Sequence, residues 1–118
     1  MRIAWIAGVF HGLVGSTIFF LTLHSLRDAL DAHSLELAKI AGAWQALQGL
    51  ALMIVAVSTR AKIASALLAG GTAVSCAMLY FIIFTGLQPP AIIVAPIGGS
   101  VAIIGWIVLL STKPKALE

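Results

Sequence analysis

"APIGGSVAIIGW", Ala95–Trp106, sets a proline and two adjacent glycines inside a long apolar run. In a helix surrounded by water the proline would cost about 3 kcal/mol and each glycine about 1 kcal/mol. Such a segment makes physical sense where lipid is the solvent. There helices associate by close packing rather than by escaping water, and small residues let backbones touch. The stretch therefore predicts a transmembrane helix. Gly98 and Gly99 are expected at a packing contact, and Pro96, which removes one backbone hydrogen bond, is expected to kink the helix near its outer end. Carbonyls freed at such a kink can also line a cavity.

The rest of the chain agrees. Of 118 residues, 61% are hydrophobic and 9% charged, against about 25% charged in soluble domains. A chain this short cannot hide so much apolar surface from water. Four stretches reach the ~20 residues that cross a hydrocarbon core: Ile3–Leu23, Ala38–Val57, Ile63–Gly86 and Ala91–Ser111. The short links Ser58–Lys62 and Leu87–Pro90 make neighbouring helices antiparallel. The expected fold is all-α, an integral membrane four-helix up-down bundle forming one domain over residues 1–118. In the longer first link, His24–Leu37, the i,i+4 pairs His24/Asp28 and Arg27/Asp31 predict a short interfacial helix. Ser34 is the expected N-cap of the second span.

Charge sets the expected orientation. Arg2, Arg60, Lys62, Lys113 and Lys115 fall on one side. The positive-inside rule then puts both termini in the cytoplasm, with a bacterial inner membrane as the expected location. Trp5 and Trp106 fall near that face, and Trp44 and Tyr80 near the other, as aromatic belts do. The first span has too long an apolar core for a signal peptide and no cleavage pattern after it. A net charge of +3, confined to the fringes, argues against a nucleic-acid partner. Cys76 is alone, so no intrachain disulfide is expected.

Small residues recur at every fourth position. Ala4, Gly8, Gly12 and Ser16 do so in the first span, Ser65, Ala69, Ala73 and Ala77 in the third, and Ala91, Ala95 and Gly99 in the fourth. Each series predicts a helix face shaped for tight contact.

Candidates for chemistry are few. No Asp or Glu lies within a span, which argues against a proton-coupled exporter and against a Ser–His–Asp hydrolase. His11 and His24 lie thirteen residues apart on one helix, roughly 20 Å, and cannot share a haem iron. His24, Asp28, Asp31, His33 and Glu36 could be drawn as a metal set but read more simply as a solvated loop. No metal and no other cofactor is expected. The better candidate lies mid-membrane. His11, Gln48, Thr72, Ser75 and Ser100 share one depth, with Gln45 a turn above Gln48. Such groups need partners in hydrocarbon. They are expected to face inward and to bond across the bundle, His11 to Gln48 first.

A family resemblance joins these pieces. "APIGGSVAIIGWIVLL" resembles the C-terminal signature of the YgdD-like small membrane proteins, domain-of-unknown-function family 423, which includes vertebrate transmembrane protein 256 relatives. Pro96, Gly98, Gly99, Gly105 and Trp106 match a T-P-I-G-G … G-W pattern. "SCAMLYFIIFTG" is similar to the family's S-G-S-L-Y stretch at Ser75 and Tyr80. "WQALQGLAL" is similar to Y-Q-x-x-H-x-L-A-L at Gln45, Leu50 and Ala51. "FLTLHSL" keeps His24 and Leu26 of F-G-A-H-x-L. Thr22 and Gln48 stand where the family has glycine and histidine. The resemblance implies four transmembrane helices and no known enzyme activity. The expected function is that of a non-catalytic membrane protein, an accessory or assembly subunit or a homo-oligomer packed through small-residue faces. Its partners would be lipids and other membrane subunits or further copies. The alternative is a small-solute channel or transporter, or a lipid or quinone binding protein, that uses the polar layer.

Overall fold

Apolar runs broken by short polar links produce four helices in the computed structural model, which describes residues 1–117. They are α1 (Arg2–Thr22), α2 (Ala32–Ser58), α3 (Lys62–Thr85) and α4 (Val94–Leu109). A 3-10 turn, Pro90–Ile93, leads into α4, and another covers Lys115–Leu117. No strand is present among the described residues. All four helices, the last counted with its 3-10 turn, are long and apolar enough to cross a membrane.

Local chemistry sets the ends. Asp31, not Ser34, is the N-cap of α2. Its Oδ1 accepts the Ser34 backbone N–H at 2.9 Å and its Oδ2 accepts the Ser34 hydroxyl at 2.9 Å. The helix therefore starts at Ala32, a turn and a half before the expected span. The link from Leu23 to Asp31 is a series of turns and bends rather than an interfacial helix. In it the His24 ring stacks on Phe20, with centroids 4.2 Å apart, and its Nδ1 donates to the Phe20 carbonyl at 2.9 Å. At the far end of α3, Gly86 adopts φ 68° and closes the helix in the left-handed region, where a side chain would be strained.

The cap carries a pH dependence. Donation from the Ser34 N–H, then from its hydroxyl, holds the Asp31 carboxyl below its ordinary range. A depressed folded-state pKa contributes stability that is present above the unfolded value. It is lost as pH falls through the folded one. Asp31→Ala is expected to fray the first turn of α2 at neutral pH. Acidification through the carboxyl's lowered range should do the same to the native chain. Asp31→Asn keeps the cap and removes the acid sensitivity. Amide exchange at Ser34 and Leu35 reads both effects, and equal protection in all three chains would refute the cap's role.

Pro96 does not interrupt a helix. It lies in the first turn of α4, which runs unbroken from Val94 to Leu109. N–H groups in a first turn have no intrahelical partner, so proline loses nothing there. The irregularity comes earlier, in the 3-10 turn from Pro90.

The helices form two close pairs. A Cβ built on Gly8 would meet the Gly49 carbonyl oxygen at 2.8 Å, and one on Gly42 would meet Gly15 O and Phe19 N at 2.9 Å. Between α3 and α4, a Cβ on Gly71 would lie 2.5 Å from Ala102 N, and one on Gly98 would lie 2.6 Å from Ser75 N. These pairs join chiefly through α2 and α3, and α1 also touches α3. The bundle is flattened, 51 × 30 × 19 Å. Its centre is α2, with 50% of its most apolar window buried, against 17% for α1 and 22% for α4. Phe10, Leu13, Ile97, Ile103 and Ile107 point outward, as lipid-facing residues would.

The contact faces differ in phase from the every-fourth-residue series. On α1 the buried residues are Ala4, Gly8, His11, Gly15 and Thr22, while Ser16 is exposed. On α3 they include Gly71, Thr72, Ser75 and Cys76, while Ala73 and Ala77 are exposed. On α4 the contact runs through Ala95, Gly98, Ala102 and Gly105. Ala91 is exposed, and a Cβ on Gly99 would meet only Ser75 Oγ at 3.9 Å. The cause is the helical period. A strict step of four drifts about 40° per step from 3.6 residues per turn, so a real contact face alternates steps of three and four.

Candidate functional site

The polar side chains of the four helices form two ties. His11 Nε2 lies 3.2 Å from the Ala69 carbonyl oxygen, and Gln45 Nε2 lies 3.1 Å from His11 Nδ1. The hydroxyl of Tyr80 donates to Gln45 Oε1. One assignment satisfies every contact, because a carbonyl can only accept. Nε2–H donates to Ala69, Nδ1 accepts from the Gln45 amide, and the Gln45 oxygen accepts from Tyr80. A neutral imidazole thereby links α1, α2 and α3. The second tie joins α2 to α4, as Trp106 Nε1 donates to Gln48 Oε1 at 3.2 Å.

Expectation and geometry part first over the partner of His11, which pairs with Gln45, not Gln48. Three residues along a helix turn a side chain by about 300°, leaving the two glutamines about 60° apart. Gln45 faces His11 and Tyr80, and Gln48 faces the fourth helix. Both are buried, as are His11, Thr72 and Ser75. Thr72 Oγ1 has no hydrogen-bond partner among the described residues. Ser75 sits in the α3–α4 contact, its backbone facing Gly98. Ser100 does not join the layer. It is exposed, and its hydroxyl donates to the Pro96 carbonyl of its own helix at 2.9 Å.

Tyr80 and Trp106, expected in interfacial belts, are instead members of the ties. The available signal was chemical. Each carries a polar handle that seeks a partner when partly buried, and the two glutamines offer acceptors at matching depth.

Around these ties the surface carries grooves. An apolar one of about 330 Å³ is lined by Ile40, Trp44, Leu79, Pro96 and Gly99 among others. At the opposite end the basic residues gather. Arg2 and Lys62 line one cleft, Arg60 and Lys62 another, and Lys115 Nζ donates to the Val57 carbonyl at 3.1 Å. That last bond satisfies a carbonyl at the C-terminal end of α2. The ties hold no carboxylate, and the first ends on a backbone carbonyl. Their chemistry is that of cross-links between helices.

A family described as "Protein of unknown function (DUF423)" matches residues 21–99. The match contains Gln45, Gln48, Thr72, Ser75 and Tyr80, and leaves His11 and Trp106 outside. No curated protein and no solved structure matches the chain.

Proposed function

The chain belongs to the DUF423 family, and from that premise we propose that it is a non-catalytic integral membrane protein acting as an accessory or assembly subunit, or as a homo-oligomer. One observation carries this reading. Gly70, Ala73 and Ala77 of α3 are all exposed. At about 100° per residue they fall within about 60° of one another, forming a single stripe. A Cβ on Gly70 would meet nothing within 4 Å. The small-residue faces at the α1–α2 and α3–α4 contacts are filled from within the chain, whereas this one is uncovered. In lipid such a face is where a further helix packs closest.

The ties support the same reading, since they engage the His11, Gln45 and Gln48 groups that a solute path would need free. Basic residues gathered at one end support an orientation with that end in the cytoplasm of a bacterial inner membrane. Gentle extraction followed by intact-mass measurement tests the proposal. The native chain is expected to emerge as a fixed oligomer or with other subunits. Gly70→Leu should emerge alone, with unchanged helix content and unfolding midpoint. A native chain that is monomeric and passes solutes in proteoliposomes would overturn the reading.

A further inference from the structure

At the basic end a cleft of about 510 Å³ opens between α1 and α3. That is within the size range of small-molecule sites. Its walls fall into two zones. Ile3, Ala4 and Ala7 of α1 face Ser65, Ala66 and Ala69 of α3, and since the Ser65 hydroxyl is taken by the Ala61 carbonyl, the slot is largely apolar. Arg2 and Lys62, both exposed, stand at its mouth, and no carboxylate is among the lining residues. From Lys62 to Ala69 the slot reaches about 10 Å along α3. Ala69 borders the slot, and its carbonyl meets the His11 ring.

Two cations over an apolar slot complement one kind of molecule, an amphiphile with an anionic head. We propose that this cleft holds an anionic phospholipid from the leaflet at the basic end. Its phosphodiester lies between Arg2 and Lys62, and its first acyl carbons lie against the alanines. This rests on the reading of the chain as membrane-spanning. The guanidinium of Arg2 offers paired N–H donors that match two phosphate oxygens. Lys62 adds a point charge from the first turn of α3. The alanines leave room that larger side chains would fill. Basic pockets between transmembrane helices recognise anionic headgroups in this way. Arg60 and Lys113 sit at the same end outside the cleft, so they separate site binding from general surface attraction.

The full chain is reconstituted in vesicles of mixed phosphatidylglycerol and phosphatidylcholine, floated on a density gradient, then extracted gently. Retained lipid is read by intact-mass spectrometry. Phosphatidylglycerol is expected to be retained at least tenfold over phosphatidylcholine, from roughly fivefold per basic side chain. Arg2→Gln with Lys62→Gln should bring the ratio close to one. Arg60→Gln with Lys113→Gln, an equal loss of charge, should leave most of it. Ala7→Leu, which narrows the slot from the α1 side and keeps both cations, should also abolish retention. Equal retention of the two lipids by the native chain, or equal damage from the two charge pairs, overturns the site. Co-flotation without a lipid preference sinks this proposal alone. A chain that fails to co-float sinks the membrane-spanning reading with it.

Discussion

Gly15→Ala is expected to force α1 away from α2, while Gly12→Ala, on the same helix, leaves the pair intact. A Cβ at position 15 would fall on the backbone nitrogen of Ala46 and lie 2.6 Å from the Gly42 carbonyl oxygen. Both obstacles are main-chain atoms of a buried helix, so no rotamer change relieves them. The helices must shift, and overpacking of this kind typically costs about 1–3 kcal/mol. Gly12 behaves differently although its backbone lies against Gly49. Its own Cβ would point to open space, with nothing within 4 Å. Substitution there should stay within about 0.5 kcal/mol of the native chain, or gain slightly because alanine favours helix. Gly71 and Gly70 repeat the contrast on α3. Unfolding midpoints in a denaturing-detergent titration measure all four variants. Equal losses at Gly12 and Gly15 would mean that α1 and α2 do not meet in this register.

The second large effect belongs to the imidazole tie. His11→Ala strips the Gln45 amide of its acceptor and opens a void beside it. An unsatisfied buried donor costs about 1–3 kcal/mol, so a loss within that range is expected. A double-mutant cycle separates the pair from the void. His11 and Gln45 should couple by about 0.6 kcal/mol, with about 1.7 kcal/mol as the upper end for such bonds in a membrane bundle. His11 and Gln48 should not couple, and Gln48 should couple to Trp106 instead. Coupling of His11 to Gln48 of the same size would refute the assignment of the two glutamines.

The spans were legible because hydropathy and the scarcity of charge are properties of whole segments. Helix ends were less so. Asp31 and Ser34 are three residues apart and either can cap, and only the direction of the hydrogen bond, Ser34 N–H to Asp31, decides between them. The polar layer was visible as a set of residues at one depth. Its pairing was not, because depth follows from counting along the chain while partner choice depends on rotation about the helix axis. Gln45 and Gln48 differ mainly in rotation. Ser100 shares the depth and faces away. Pro96 shows another limit. A proline in an apolar run reads as a break, but one placed in a first turn is a start, and the run of hydrophobicity does not reveal where α4 begins.

The ties cross between the two close pairs, and that has a consequence for assembly. Synthesis delivers α1 and α2 first, and N-terminal units settle before later ones arrive. Their glycine faces can close on each other while α3 is still inside the ribosome. At that moment His11 and Gln45 are already together, but the Gln45 and Gln48 oxygens still await Tyr80 and Trp106. The second hairpin supplies both donors, on α3 and on α4. Both acceptors sit on α2 and both donors on the second hairpin, so these two bonds close together only when the hairpins dock with the rotation seen here.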